Sequence, residues 1–462
     1  MQSKTDSTPK GLIIAAPASG SGKTTLTLGI LRALVKRNIS IAAAKVGPDY
    51  IDTAFLKQAC RKPCFNLDSW AMSQEYLENI ITQMNSEFLV TEGVMGLFDG
   101  VEDRDTAIPA GSTADIAAMF NLPIILVLNV KHQIQSVAAI AQGFANFHPK
   151  VTIAGLIINQ VKSARHEKLI QNALTNVSIP VIGIIPSLKS LALPSRHLGL
   201  VQIQEHDTAE EFLENAADAV AQHIELDVFL NTARSIARQS HPEKSDLEKL
   251  KSLALPPLGQ RIAVAMDAAF SFVYQHILDD WHAMGSECYP FSPLANEAPC
   301  NDADAVYLSG GYPELHLPQL AHNTIFREGM LQAARNGAII YGECGGFMTL
   351  GEAIELSDGS SYSGLGLLPH RTLFSTDMPL TLGYRRLIPS KGFVWSMPIM
   401  AHEFHHATSQ QTHECPPLFT QALTSDGRNI HACGLRKGNI SGSFAHVIAQ
   451  DSTRPTQQGS DS

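Results

Sequence analysis

The chain carries no surplus of positive charge. Lysine and arginine number 34 against 44 aspartates and glutamates in 462 residues, a formal net charge of −10. A balance of that sign argues against general nucleic-acid binding and against docking on an anionic membrane. Long apolar runs are also missing. Runs such as 123–128 fall far short of the ~20 residues that span a bilayer. The opening MQSKTDSTPK is polar and has no signal-peptide core. Cysteine is sparse and unpatterned, with seven residues (60, 64, 288, 300, 344, 415 and 433), an odd number and no C-x-x-C. That leaves no disulfide framework and fits reduced thiols in a cytoplasmic protein. Internal repeats and lysine- or proline-rich low complexity are absent, which removes solenoid and fibrous architectures. What remains is a globular chain, 44% hydrophobic, that supports a sizeable core. Its length allows about three domains, or two large ones.

One further absence is local. The strict phosphate-loop pattern G-x-x-x-x-G-K-[ST] asks for glycine at 17, where Pro17 stands. The surroundings nevertheless suit a variant of that loop. An apolar run at 12–16 precedes GSGKTT, and Leu26, Ile30 and Leu34 recur at helical spacing behind it. Strand, tight loop and helix form the context of a phosphate cradle. Gly20 and Gly22 let backbone amides turn inward. Lys23 is placed to reach the terminal phosphates, Thr24 to hold Mg²⁺, and Thr25 to complete the ATP-binding set.

Residues 11–225 alternate short apolar strands (12–16, 41–46, 88–91, 124–129, 153–159, 181–185) with helical patterns, which predicts a mostly parallel sheet wrapped by helices. Ligands of such sheets sit beyond the strand C-termini, and acids collect there. KVGPDYID brings Asp49, Tyr50 and Asp52 after the second strand. EGVMGLFDG brings Glu92, a strand-end carboxylate suited to Mg²⁺, and Asp99. Lys131, His132 and Asn159 stand at other strand ends, and Asn159 suits either an adenine edge or a loop cap.

Residues 239–252 are charged and poor in large apolar side chains, as a linker with a short helix would be. Alternation then restarts with strands at 262–266, 305–309 and 338–341 and helices at 272–284 and 347–353. GECGG places Cys344 at a strand–turn–helix apex with Gly342 and Gly346 two residues to either side, the geometry of a nucleophile elbow. A helix N-terminus stabilises a thiolate there. A cysteine nucleophile needs a histidine base. Among eighteen histidines, the pattern offers His402, His405 and His406 in AHEFHH, and His446 in SGSFAHVIA. H-E-x-H-H lacks the spacing that sets two metal ligands on one helix face.

ASGSGKTT, KVGPDYID, EGVMGLFDG, SGGYPELH, YGECGGFMTL, AHEFHH and SGSFAHVIA, taken in order, resemble the family of cobyrinic or hydrogenobyrinic acid a,c-diamide synthases. The resemblance runs from residue 11 to about 450. It implies an α/β protein of two doubly wound domains, a P-loop NTPase-like, ATP- and corrinoid-binding domain over 11–235 and a class I glutamine amidotransferase-like domain over 259–450. A linker at 236–258 and a disordered tail at 451–462 complete the expectation. By the same resemblance Cys344 is the glutamine-attacking nucleophile and His446 its base. Gly311 and the Gly345 amide form the oxyanion hole. Asp49, Tyr50, Asp52 and Asp99 serve substrate and phosphoryl transfer, and Glu92 joins Thr24 on the metal. The partners implied are a corrinoid, glutamine, ATP and Mg²⁺, with neither nucleic acid nor membrane, and a homodimer is compatible. Related amidotransferases orient the histidine with a glutamate two residues on. Here that position is Ile448, so the orienting acid is expected to be absent and the glutaminase slow or dependent on the other domain. Two other readings compete: cobyric acid synthase, which amidates other corrinoid carboxylates, and a ParA- or MinD-like ATPase switch, which leaves the Cys344 elbow unexplained.

Overall fold

The structure, a computed structural model, describes residues 9–101, 107–188, 191, 195–196, 199–200, 208–237, 247–375 and 380–451. The chain divides into two compact units, Met1–Trp70 with Gln74–His241, and Ala71–Ser73 with Pro242–Ser462.

In the first unit the apolar runs become parallel strands: β1 (Lys10–Ala15), β2 (Ile41–Val46), β3 (Cys64–Leu67), β4 (Phe88–Glu92), β5 (Ile124–Asn129), β6 (Ile153–Val161) and β7 (Val181–Pro186). Their spatial order is β3-β2-β4-β1-β5-β6-β7. These strands are covered on both faces, so they read as continuous apolar runs rather than as alternation; every residue of β2 is buried. Helix α1 (Lys23–Lys36) follows β1 directly and packs on helix Ala209–His223. A Cβ on Gly29 would stand 2.7 Å from Ala216 O, so only glycine lets these helices approach so closely. Arg32, fully buried, holds Glu210 at 2.8 Å and Glu214 at 2.9 Å.

The second unit carries parallel strands in the order Glu287–Phe291, Arg261–Ala265, Ala305–Leu308, Ile339–Glu343, Ile440–Ser443, closed by antiparallel Leu435–Lys437. Two four-stranded sheets accompany it. One holds Ser361–Ser363, Ala353–Glu355, His370–Phe374 and Ala407–Gln411; the other holds Phe419–Thr424, Thr381–Pro389, Ile399–His405 and His446–Gln450.

The expected two doubly wound domains are present, and several boundaries differ. Strand β3 was not expected; it is four residues long, and the polar Asn66 breaks its apolar run. The helix expected at 347–353 is Gly345–Leu350, because a Cβ on Gly351 would meet His370 O at 2.7 Å and the chain turns into strand Ala353–Glu355. The helix expected at 272–284 is Gln275–Ala283, since Phe272 is taken up in a bridge to Gly310. The expected linker is folded at both ends. Ile236 is buried and its amide donates to Pro9 O, while Leu255 and Pro256 carbonyls accept from the Trp281 and Trp395 indoles. Residues 238–246 of the linker and 452–462 of the tail lie outside the described residues.

Candidate active sites

The phosphate loop runs from the end of β1 to α1. Gly20 and Gly22 take left-handed φ of 75° and 92°. A Cβ on Gly22 would lie 2.3 Å from Asn159 Nδ2, and that amide donates to Ser21 O at 3.0 Å. Asn159 thus holds the phosphate loop. The loop after β4 packs onto the cradle: Leu97 N–H donates to Ala16 O at 2.9 Å, and a Cβ on Gly96 would meet Pro17 O at 2.5 Å. Thr25 Oγ1 donates to Leu191 O at 3.5 Å.

Lys23 Nζ donates to Met95 O at 2.6 Å. Burial, and after it the Lys45 ammonium, pull its pKa down to about 8. Glu92, the last residue of β4 rather than the first residue beyond it, is fully buried. Its Oε1 accepts from Thr24 Oγ1 at 2.6 Å and from Lys45 Nζ at 2.9 Å. Lys45 Nζ also binds Asp52 Oδ2 at 2.6 Å. Burial works against the Lys45 ammonium, but Asp52, Glu92 and Asp49 outweigh it and hold the lysine charged. Burial raises Glu92, and Lys45 opposes the rise. Burial, then the Asp52 charge, lift Asp49 to about 7. Asp49 Oδ1 accepts from the Asp52 amide at 2.9 Å, so it shapes the start of α2 (Ile51–Cys60), with Tyr50 half-buried just before that helix. Asp99, exposed, accepts from the Gly96 amide at 2.8 Å. Lys131 and His132 are exposed.

Five of the expected residues, Lys23, Thr24, Asp49, Asp52 and Glu92, thus share one network of hydrogen bonds and charges. Lys45, crowded with two acids and a tyrosine in KVGPDYID but given no role from the sequence, stands at its centre. Glu92 Oε2 is buried with no hydrogen-bond partner. Among the described residues no three His, Cys, Asp or Glu side chains form a metal cage. A hard cation at Thr24 and Glu92 would draw its other ligands from phosphate oxygens and water, as Mg²⁺ usually does.

In the second unit, strand Ile339–Glu343 turns sharply at Cys344 (φ 45°, ψ −105°) into helix Gly345–Leu350. A Cβ on Gly346 would fall 2.1 Å from Leu308 O, and one on Gly342 2.7 Å from Leu350 Cδ1, so both glycines are sterically required. Cys344 is 4% exposed. Burial, then Glu314, push its thiol well above the ordinary range, and the Gly345 amide opposes them. Gly311 and Gly345 lie against each other: a Cβ on Gly345 would come within 3.0 Å of Gly311 O. A Cβ on Gly310 would sit 2.1 Å from His446 Cε1, so the first glycine of SGGYP makes room for the imidazole. Burial, then His402 and His405, bring His446 down to about 3, a neutral ring. His405 Nδ1 bonds Ala407 O at 2.8 Å and its ring stacks on Phe444, whereas His402 pairs across the strands with His446.

The expectation of no acid beside His446 is corrected. Glu343 Oε2 lies 3.8 Å from His446 Nδ1, from the strand that ends in the nucleophile.

Comparison with known proteins joins the two sites. Residues 12–201 match the CobQ/CobB/MinD/ParA nucleotide binding domain, and residues 261–453 the CobB/CobQ-like glutamine amidotransferase domain. The chain is 47% identical over 442 residues to hydrogenobyrinate a,c-diamide synthase of Brucella abortus, covering 95% of this chain and 98% of that one. It belongs to the hydrogenobyrinate a,c-diamide synthase family. The Rhizobium meliloti member is 46% identical over 95% of this chain and 99% of its own, and the Mesorhizobium japonicum member 42% identical over 96% and 100%. Within this synthase family the phosphate loop belongs to the nucleotide-binding domain and the Cys344 elbow to the amidotransferase domain. Among the described residues, no helix is long and apolar enough to cross a membrane.

Proposed function

We propose that the chain amidates the a and c carboxylates of hydrogenobyrinate or cobyrinate with ATP and glutamine. The observation that carries this reading is one chain holding two unlike sites, a phosphate loop tied to Glu92 through Thr24 and a cysteine elbow beside a neutral histidine.

A carboxylate does not condense with ammonia in water, because oxide is a poor leaving group. At the first site a corrin carboxylate attacks the terminal phosphorus of ATP, giving an acyl phosphate and ADP. Lys23 exchanges its Met95 carbonyl partner for phosphate oxygens, and Lys45 holds Glu92 and Asp52 in place. Mg²⁺ at Thr24 and Glu92, when bound, neutralises charge on the phosphates. At the second site Cys344 Sγ gives its proton to His446 and attacks the glutamine amide carbon. The oxyanion rests on the Gly311 and Gly345 amides. The tetrahedral adduct expels ammonia, which takes the proton from His446. Water then cleaves the thioester to glutamate. Ammonia attacks the acyl phosphate, releasing phosphate and leaving the amide.

The deciding experiment is mass spectrometry of the product from each ring with ATP and glutamine. Two carboxyl-to-amide shifts of about one dalton each support the reading. Four favour the cobyric acid synthase reaction, and ATP hydrolysis without any shift favours an ATPase switch.

Tyr50 serves the corrin in this scheme, since it stands between Asp49 and the Lys45-bound Asp52. In Tyr50→Ala the ratio of mono- to diamide rises several-fold while ATP affinity stays within about threefold, measured by product chromatography beside an ATP titration. Normal diamide yield with weakened ATP binding would instead assign the loop to the nucleotide.

A further inference from the structure

The elbow strand carries a second polar residue besides its cysteine. Glu343 is fully buried. Its Oε1 accepts the Val447 amide at 3.1 Å, and its Oε2 accepts the Tyr307 hydroxyl at 2.8 Å. Both bonds fix the carboxyl group, and the first ties it to the residue after His446. Oε2 is also the oxygen that lies 3.8 Å from His446 Nδ1. Register supports the arrangement: Glu343 pairs with Ser443, whose carbonyl accepts from the Cys344 amide at 2.8 Å, so the nucleophile strand is locked to strand Ile440–Ser443, whose end lies three residues before His446.

We propose that Glu343 is the positioning carboxylate of His446, taking the part of the acid that position 448 lacks. Resting on the amidotransferase reading of this site, the inference gives Glu343 two tasks. At 3.8 Å its Oε2 stands just beyond hydrogen-bond reach of Nδ1, and on tightening around bound glutamine it accepts a hydrogen bond from the Nδ1 proton, which leaves Nε2 free to accept the Cys344 proton. It also supplies the counter-charge when that proton arrives.

The electrostatics make the second task specific. Burial raises Glu343 to about 8 and depresses His446 to about 3, so neither charge is tolerated there alone. An imidazolium that forms with the Cys344 proton beside an already ionised Glu343 is neutralised by it, so the carboxylate eases proton transfer from the thiol. The other titratable groups facing the pair are Tyr307 and Tyr341 on the Glu343 side, His402 and His405 on the His446 side, and Cys344 itself, with Glu403 and Arg385 beyond. None of the histidines supplies negative charge, and Glu403 is held by Arg385 at 2.7 Å. Glu314 acts on the Cys344 thiol, so Glu343, 3.8 Å away, is the carboxylate that answers to Nδ1.

The test is Glu343→Gln in the full chain. Its amide carbonyl still accepts the Val447 N–H, but its NH₂ then faces Nδ1 and selects the opposite tautomer. Glutamine-dependent turnover falls by roughly 10²-fold or more, as wrong-tautomer variants of histidine triads do, with KM for glutamine within about threefold. Ammonia-dependent amidation stays at the wild-type value and the melting temperature falls by no more than the few degrees that loss of the Tyr307 acceptor costs, whereas a merely structural role would lower activity with both nitrogen donors. A second readout needs no substrate: the rate of Cys344 alkylation by iodoacetamide, followed by peptide mass spectrometry against pH. Its rising limb, centred near 8 when ionised Glu343 supports the histidine, moves to higher pH in Glu343→Gln. Glu343→Asp, which keeps the charge but retracts it by one methylene, shows an intermediate loss of about tenfold. Glutaminase within threefold of wild type in Glu343→Gln, an unmoved alkylation profile, or equal losses with both nitrogen donors overturns the inference. A wild-type chain without any glutaminase overturns the amidotransferase reading instead, and the alkylation profile still decides Glu343.

Discussion

Cys344→Ala loses glutamine-dependent amidation by about 10⁶-fold, the scale on which removal of a covalent nucleophile is felt, and keeps amidation driven by ammonium salts. Cys344 lies in the second unit, on a strand–helix elbow whose packing depends on Gly342 and Gly346 rather than on the thiol. Alanine fits the same backbone, although a non-glycine φ of 45° remains strained with or without sulfur. The acyl phosphate forms in the first unit from residues the substitution leaves alone, and free ammonia replaces the glutamine-derived nucleophile. His446→Ala behaves in the same way. His405→Ala retains glutaminase turnover within about tenfold, because its Nδ1 is committed to Ala407 O and its ring to Phe444. Steady-state assays with glutamine and with ammonium chloride on each purified variant check all three. If Cys344→Ala is folded and silent with both donors, its role as ammonia donor is wrong.

How far the sequence carries such a reading depends on the range of the signal. The P-loop and the elbow are local: glycines, a lysine, a cysteine and the apolar runs beside them fall within a few residues, so strand, turn and helix were legible. The fold class followed from the same alternation. Lys45 stood among the crowded charges of KVGPDYID, but its role was not legible, because its partners Asp52 and Glu92 come together only when β2 and β4 lie side by side. Glu343 escaped for a related reason. Its closeness to His446 is a cross-strand fact, 103 positions away in sequence, and a search at fixed offset from the histidine finds only Ile448. The mate of SGGYP was hidden too; that Gly310 is needed by the His446 ring appears only once the two strands are packed. The mixed sheet around His370–Phe374 and the antiparallel sheet around Ile399–His405 lacked the continuous apolar runs that announce buried parallel strands, since their burial is mixed.

Glu92→Gln is the complementary expectation, because it strikes the chemistry shared by both nitrogen donors. The side chain keeps its size, and its carbonyl can still accept from Thr24 Oγ1. The lost charge matters more than the lost shape. Lys45 is held charged in a buried position by Asp52, Glu92 and Asp49, and removal of one acid leaves its ammonium undercompensated. Lys23, already drawn down to about 8 by burial and by Lys45, loses a neighbour that favours its charged form, so its pKa falls further and less of it is protonated at neutral pH. The orphaned Glu92 Oε2 is lost as an anionic ligand for a cation beside Thr24. These losses act on charge developed during phosphoryl transfer, where removal of a single charge-stabilising group costs about 3–4 kcal/mol, or 10²- to 10³-fold in rate. Amidation with glutamine and with ammonia therefore falls together in Glu92→Gln, and Asp99→Asn follows with a smaller loss because its carboxylate is exposed and already bonded to the Gly96 amide. Free glutaminase persists in both, since Cys344 and His446 are untouched. Parallel assays of glutamate release and product amide give the answer. A Glu92→Gln chain that amidates normally with ammonia would take Glu92 out of phosphoryl transfer and leave it as a structural partner of Lys45.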